Sequence, residues 1–304
     1  MLNNILWGID LGGTKTELVI LSWPEQQEIF RHRLETERNK GYSHILSRIK
    51  ELIDFARIRT GLVPDRIGFG TPGCLERVTG LMKNCNTTEL NGMPLKMDLE
   101  KKLNLSVRIE NDANCFALAE TRMGVIPQKV PHAQVVWGLI LGTGVGSGIV
   151  VNQHLHTGLH GIAGEWGHNF LDSSGGNCYC GRKGCVETVI SGKALETYYQ
   201  QKAGVAKTLK EIVAATGTRQ DPMADRTIER LLTGFGKAVA QVINILDPDA
   251  IVIGGGVGNI AQLYTSGRKE IQKHLFNPDL NTPILLPLLG DSAGVFGAAL
   301  LNLE

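Results

Sequence analysis

The sequence has almost no net charge. Its 31 Lys and Arg stand against 30 Asp and Glu, a balance of +1, and the basic side chains are scattered instead of lining one stripe. Nucleic acids draw proteins through clustered basic residues that neutralise phosphates, so no nucleic-acid partner is expected and small molecules are better candidates. Long apolar runs are also missing: the stretches around Val135 to Val151 and Ala250 to Val257 are short and glycine-rich, well below the roughly 18 apolar residues of a spanning helix. The opening MLNNILWGIDLGGT has no basic segment ahead of an apolar core, and Asp10 interrupts that core, so a secretion signal is not expected. A cytoplasmic protein without membrane attachment is the expectation. Low-complexity tracts and short-period repeats are absent, which argues against solenoids. There is no Walker A sequence, and the run LGTGVGSG (Leu141 to Gly148) fails G-x-G-x-x-G because the third position falls on Ser147 or Ile149. A strand instead of a helix follows it, so a dinucleotide-binding Rossmann reading fails on context as well.

What is present is an ordinary globular composition, 42% hydrophobic and 20% charged over 304 residues, long enough that two domains with a binding cleft between them are expected. ILWGIDLGG (Ile5 to Gly13) reads as a buried strand ending in a glycine turn, with TELVIL (Thr16 to Leu21) returning beside it. A strand near Glu28 to Leu34, a helix from Ser43 to Ile58, strand RIGFG, a helix near Met97 to Leu103, strand SVRIE and a helix from Ala113 to Met123 follow. A second cycle starts at Gln134, where VVWGLILGTGVGSGIVV is again strand, glycine tip and strand. Helices at 192–201, 207–215 and 223–246, strand AIVIGG, a helix at 259–273, strand TPILLP and a final helix from Ala293 to Leu303 complete the chain.

Three glycine-rich runs suggest a polyphosphate. In DLGGTKT, Gly12 and Gly13 allow backbone N–H groups to approach phosphate oxygens, Thr14 and Lys15 add polar and cationic contacts, and Asp10 could hold Mg²⁺. Two glycines also suffice for a plain hairpin turn, but the Asp-Gly-Gly-Thr-Lys combination is narrower. The second run places Gly142, Gly144, Gly146 and Gly148 at alternate positions, with Thr143 between the first two, leaving one face bare. The third, IVIGGGVGN (Ile251 to Asn259), offers the bare backbone of Gly254, Gly255 and Gly256 to a base and ribose, or else serves close helix–strand packing.

ENDAN (Glu110 to Asn114) sits where a strand hands over to a helix. Asp112 could be a helix-terminal carboxylate, and it could also accept a proton from a sugar hydroxyl, with Asn111 meeting a neighbouring hydroxyl. Further on, Cys178, Cys180 and Cys185 form C-x-C-x4-C, and His168 completes a Cys3His set suited to structural zinc, with Gly176, Gly181 and Gly184 supplying turns. A surface loop with unrelated buried cysteines is the alternative. Glu165 and Glu187 flank the set, and a metal would fix these two carboxylates as acceptors for a polyol.

DLGGTKT, ENDAN, EWGH and CYCGRKGC, in this order and with these gaps, resemble the ROK family of bacterial sugar kinases and repressors over essentially the whole chain. The resemblance implies an actin-like ATPase fold of two ribonuclease-H-like α/β domains with a central cleft. The expected boundaries are 1–112, with a C-terminal helix at about 292–304 packing back on it, and 113–291 with the zinc loop. By position it implies Asp112 as catalytic base, and Gly73, Asn86, Asn111, Asp112, Glu165, His168 and Glu187 as sugar contacts. Asp10, Gly12, Gly13, Thr14, Lys15, Gly142, Thr143, Gly144, Gly146 and Gly254 to Gly256 would hold ATP with Mg²⁺. Zinc would rest on His168, Cys178, Cys180 and Cys185, and a homodimer is expected. KNCNTTELNG (Lys83 to Gly92) and the zinc loop look most like fructokinases of the manno(fructo)kinase type, acting at the 6-hydroxyl of a free hexose; N-acetylglucosamine kinase and glucokinase are the alternatives. Ser147 replaces a glycine common in the second phosphate motif. Repressors carry a helix-turn-helix ahead of the kinase domains, whereas the phosphate motif here already starts at Asp10, so that module is not expected; Asp10 and Asp112 together argue for a kinase over a sugar-sensing regulator without turnover.

Overall fold

Leu6, Trp7, Ile9 and Leu11 are all buried and make β1 (Asn4–Leu11) a strand covered on both faces. The chain, described over residues 4–218 and 220–304 of a computed structural model, returns as β2 (Lys15–Trp23), antiparallel to β1 from Leu11↔Thr16 to Asn4↔Trp23. β3 (Gln27–Glu35) pairs antiparallel with β2, and its exposed Glu28, Arg31, Arg33 and Glu35 suit a sheet edge that must resist further pairing. α1 (Tyr42–Thr60) buries Ile45, Leu46, Ile49, Leu52, Ile53 and Ala56, the spacing of one helical face, and ends at Gly61 with φ 71°. It leads to β4 (Arg66–Thr71), parallel to β1. A short ribbon of β5 (Cys74–Leu75) and β6 (Met82–Lys83) and then α2 (Leu95–Leu103) precede β7 (Ser106–Asn111), parallel to β4. The resulting sheet order is β3-β2-β1-β4-β7. α3 (Asp112–Arg122) and α4 (Val125–Lys129) follow.

The second cycle opens with the antiparallel hairpin β8 (Val135–Leu141) and β9 (Val145–Val151), followed by the two-residue β10 (His154–Leu155). Helices α5 (Glu187–Ile190), α6 (Gly192–Ala203), α7 (Leu209–Ala215) and α8 (Pro222–Leu246) come next. α8 is started by Asp221, whose side chain accepts the Ala224 N–H at 3.1 Å, with Pro222 at the first helical position where its missing N–H costs nothing. β11 (Ala250–Gly254), α9 (Ser266–Gln272), β12 (Ile284–Leu285) and α10 (Ala293–Leu300) complete the elements. Strands β9-β8-β11-β12 lie side by side, with β11 parallel to both β8 and β12. Trp137, Leu231, Phe235 and Val239 belong to the buried core of this half. Both sheets follow one plan, an antiparallel hairpin continued by parallel strands, which is the ribonuclease-H-like plan of actin-like ATPases.

The chain divides into two units. One takes the chain through Pro127 together with Gln153–Ala163 and Leu289–Glu304; the other comprises Gln128–Asn152 and Gly164–Leu288. The boundary therefore lies beyond the residue 112 expected from sequence. Cys115 and Leu118 of α3 share a core with Leu6, Leu21, Val295, Ala298 and Ala299, which ties α3 to the first sheet and to α10. α10 lies close on that sheet because Gly8 and Gly68 carry no Cβ, which would overlap the backbone of Ala299 and Ala298. Residues 153–163 join the first unit through Arg122 Nε donating to Gln153 O (2.8 Å), Leu155 N–H donating to Glu304 Oε2 (3.0 Å) and Arg77 donating to Leu159 O (3.4 Å).

Two elements differ from expectation. Instead of a helix over 259–273, Ala261–Tyr264 form a 3₁₀ turn and α9 starts at Ser266. Leu263 is buried there and the Tyr264 hydroxyl donates to Gly258 O at 2.8 Å, which holds this turn against the glycine run. TPILLP is strand only over Ile284–Leu285. Among the described residues no helix is long and apolar enough to cross a membrane.

Candidate functional site

In the first unit, Asp10 is next to last in β1, opposite Glu17 on β2 and Gly70 on β4. The turn after it is braced by hydroxyls. Thr36 Oγ1 donates to Gly12 O at 2.7 Å, Thr16 Oγ1 lies 2.9 Å from Thr36 Oγ1, and Thr36 N–H donates to Thr14 O at 2.9 Å. The Gly12 N–H itself donates to Lys15 O at 2.9 Å. Gly12 therefore closes the turn instead of offering its N–H to a ligand. Gly13 leaves space that a Cβ would fill, 2.9 Å from Thr87 Oγ1 and 3.5 Å from an Arg38 guanidinium nitrogen.

Asp10 sits among carboxylates. Its own carboxyl is pushed up to about 7, first by burial and then by Asp112 and Glu17, with Arg33 acting in the opposite direction. Its side chain keeps a partial opening to solvent. Glu17 is neutralised by Arg33 at 2.8 Å and Arg31 at 3.6 Å, and Arg31 also donates to Ser292 Oγ at 2.7 Å, just before α10. A Cβ on Gly294 would come 3.1 Å from Asp10 Oδ2, so the start of α10 is bare where it meets this carboxylate. A raised carboxyl flanked by other acids favours either a proton or a bound cation.

Asp112 is the first residue of α3, and Asn111 before it is the helix cap, its Oδ1 accepting the Ala113 N–H at 2.8 Å. Asp112 Oδ1 accepts the same N–H at 2.8 Å. Capping is thus Asn111's work, and its side-chain amide is the part that could meet a sugar hydroxyl. Thr71 Oγ1 donates to Gly73 O at 3.0 Å, and β4 pairs Thr71 with Asn111, so the ends of β4 and β7 carry Gly73, Asn111 and Asp112 together. Gly73 has to be glycine: a Cβ would come 2.5 Å from Cys85 Sγ and 2.6 Å from Lys83 O. Exposed Asn86 follows on that ribbon, its N–H donating to Pro72 O at 3.3 Å.

In the second unit, Gly142 N–H donates to Gly144 O at 3.0 Å and Gly192 N–H donates to Gly142 O at 2.8 Å, which puts the N-terminus of α6 on the turn. Leu141 O accepts from Val257 N–H at 2.8 Å and from Gly258 N–H at 3.2 Å, so the third glycine run packs on the second. Gly255 requires its φ of +84° at that junction, while Gly142 and Gly256 face open space. Bare backbone at Gly142 and Gly256 beside a helix N-terminus can cradle a nucleotide. Gly146 lies on β9 opposite Ile140, beyond the turn. Thr143 is on the turn itself.

Glu187 is the first residue of α5 and meets the same turn: its Oε2 accepts the Val145 N–H at 3.0 Å, and a Cβ on Gly144 would come 2.7 Å from it. Glu165 begins the 3₁₀ turn Trp166–His168. Its carboxyl is raised by burial, lowered by His168 and raised again by Glu187. His168 uses its two ring nitrogens in different directions: Nδ1 lies 3.4 Å from Cys178 Sγ, and Nε2 lies 2.8 Å from the Tyr179 hydroxyl and 3.9 Å from Glu165 Oε2. Tyr179, stacked edge-on against His168 at 4.9 Å, escaped sequence reasoning; its place between Cys178 and Cys180 was the available signal.

The ligand atoms of His168, Cys178, Cys180 and Cys185 all lie within 4.8 Å of one another. The Cys180–Cys185 sulfur separation of 3.6 Å and the 3.4 Å from His168 Nδ1 to Cys178 Sγ suit the set to one ion, since a tetrahedron with Zn–S bonds of ~2.3 Å has edges of ~3.8 Å. Gly181 (φ +86°) and Gly184 (φ +79°) make the turns that bend the loop back, with Cys178 N–H donating to Arg182 O at 2.7 Å.

Two ribonuclease-H-like units, each carrying a glycine turn at the tip of its first hairpin, define a protein of the actin-like ATPase class. The chain belongs to the ROK family, whose profile matches residues 6–304. It is 35% identical over 309 residues to an N-acetyl-D-glucosamine kinase of Yersinia pseudotuberculosis, covering 98% of each chain. Among solved structures it is similar to the ROK hexokinase from Thermus thermophilus, with TM-score 0.84, 28% identity, and coverage of 98% of this chain and 97% of that one. It is also similar to a ROK family glucokinase from Streptomyces griseus in complex with glucose and AMPPNP, with TM-score 0.78, 27% identity, and coverage of 98% and 99%.

Proposed function

We propose that this chain is an ATP-dependent sugar kinase whose preferred acceptor is an N-acetylated hexosamine, N-acetyl-D-glucosamine first among them. The observation that carries the acceptor choice is the 35% identity to an N-acetyl-D-glucosamine kinase across 98% of both chains. That similarity displaces the fructokinase reading, which rested on the likeness of two loops, and favours the alternative weighed beside it. Kinase chemistry is supported by the glycine turns and by the carboxylates Asp10 and Asp112, groups that a purely sugar-sensing regulator would not need.

In the first unit Asp112 is the group to accept the proton of an attacking hydroxyl, with Gly73, Asn86 and Asn111 beside it on the acceptor side; in the second unit Glu165, Glu187 and His168 are the groups to hold sugar hydroxyls. Gly13, Thr14 and Lys15 meet phosphate oxygens, while Gly142, Thr143 and Gly254 to Gly256 receive the nucleotide. Magnesium, when bound with ATP, supplies charge neutralisation of the phosphates, and Asp10 is the residue that would hold it. Zinc, when bound by His168, Cys178, Cys180 and Cys185, supplies a rigid loop that orients His168 and its neighbours.

A coupled ADP-release assay across N-acetylglucosamine, N-acetylmannosamine, glucose, mannose and fructose tests the proposal. The highest kcat/KM is expected for N-acetylglucosamine. Fructose or mannose outranking it would return the fructokinase reading, and failure of every sugar to elicit ADP release would favour a regulator.

A further inference from the structure

Ser147 lies on β9, two residues past the Val145 whose N–H is held by Glu187, and it is 6% exposed. Its hydroxyl accepts a hydrogen bond from Trp137 Nε1 at 2.9 Å and donates to Gly164 O at 2.6 Å. Gly164 immediately precedes Glu165, and its carbonyl also accepts the Trp166 N–H at 2.8 Å. The segment lies flat on the strand. A Cβ at Gly164 would come 2.5 Å from Ser147 O, and one at Gly167 would come 2.5 Å from Val145 O. Trp137 and Trp166 pack edge to face at 4.9 Å, so the same two partners are joined a second time through their rings. The Ser147 hydroxyl is thus a buried polar link between the strand leaving the second glycine turn and the segment that presents Glu165 and His168.

We propose that Ser147 is a positioning residue for sugar recognition: by holding the Gly164 carbonyl it sets where Glu165 and His168 stand above β9. Glu187 reaches the same strand at Val145, so all three groups take their position from β9. The proposal rests on the reading that these residues meet the acceptor sugar. A lost buried hydrogen bond at Gly164 should therefore be felt by the sugar and not by the nucleotide, whose turn is braced separately through Gly192, Val257 and Gly258.

The test compares Ser147→Ala, Ser147→Thr and Trp137→Phe in the zinc-loaded protein, with KM for N-acetylglucosamine and for ATP, kcat, and amide hydrogen exchange of residues 164–168. Ser147→Ala is expected to raise the sugar KM roughly three- to tenfold, the worth of one buried hydrogen bond, with ATP KM within about twofold. Exchange at Trp166 and His168 should quicken. Ser147→Thr, which keeps the hydroxyl, should restore the sugar KM. Trp137→Phe leaves the bond to Gly164 and an aromatic ring beside Trp166 in place, so it should lower the melting temperature while moving the sugar KM clearly less than Ser147→Ala. Unchanged exchange in Ser147→Ala would overturn the positioning role whatever the sugar. Equal rises in sugar and ATP KM, or a Trp137→Phe variant that behaves like Ser147→Ala, would also overturn it, because either outcome means general loosening. Quickened exchange in a protein that phosphorylates no hexose would leave the positioning role standing and remove the kinase reading instead.

Discussion

The two glycine turns are alike in sequence style and different in construction. The first is held by hydroxyls, Thr36 donating to Gly12 O and Thr16 bonding Thr36 in turn, and stands among Asp10, Glu17 and Asp112. The second is held almost wholly by backbone, through Gly192, Val257 and Gly258, with the Glu187 carboxylate accepting the Val145 N–H on its outgoing side. One turn gathers negative charge and therefore suits cations and proton transfer, while the other offers uncharged, side-chain-free surface that suits a flat base and ribose. A shared fold plan thus carries two different surfaces, and the difference lies in which partner groups brace the glycine.

The sharpest way to break this comparison is at Asp112. Asp112→Asn should lower kcat by at least about a hundredfold, the scale of general-base catalysis, with an unchanged melting curve. Turnover within tenfold of the parent would take Asp112 out of that role, and with it the chemical character assigned to the first unit.

Cys180→Ser tests whether the second unit holds a metal. Roughly stoichiometric zinc by elemental analysis of the parent, lost in the variant together with several degrees of melting temperature and with sugar affinity, is the expected result. A parent purified without chelator and free of zinc would defeat it.

Two adjacent glycines separate fold from surface within the third glycine run, which packs on the second turn. Gly255→Ala places a side chain at φ +84° and against Leu141 O, and should cost about 1–3 kcal/mol of stability. Gly256→Ala meets nothing, so its melting temperature should hold while the ATP KM rises several-fold. If ATP KM is indifferent to Gly256→Ala, the open face is not where the nucleotide lies.

The smallest effect concerns charge in the first turn. Because the folded Asp10 carboxyl titrates near 7 against 3.8 for the ordinary group, the folded state holds the extra proton between those limits. The contribution of this group to stability is therefore greatest below pH ~4 and is lost as pH rises through about 7. Asp10→Asn, in the absence of nucleotide and magnesium, should flatten the decline in melting temperature between pH 5 and pH 8. Parallel pH profiles for parent and variant would show that Asp10 is not buried among acids as described.

Much of the site could be read along the chain because its chemistry is local. Asp-Gly-Gly-Thr-Lys makes a turn from adjacent residues, and the spacing of Cys178, Cys180 and Cys185 with His168 alone suggests four donors around one ion. Asn111 and Asp112 were both found at the strand-to-helix handover, but which of them caps the helix depended on backbone angles that composition does not carry. The same holds for Gly12, whose N–H was expected to face phosphate and instead closes its own turn onto Lys15. Tyr179, hidden between two cysteines, gained its meaning only when the loop folded its ring against His168.

From the amino-acid sequence by itself came the family, the two-hairpin plan, the order of the glycine runs and the Cys3His set, all of them patterns in which neighbouring residues act together. Tertiary structure alone decided that the first unit runs on through Pro127, that α10 returns to lie against Gly8 and Gly68, that Thr36 braces a turn formed more than twenty positions earlier, and that Ser147 holds the carbonyl before Glu165. Those contacts join residues distant along the chain, and their partners are chosen by burial and close approach, which a linear pattern does not encode.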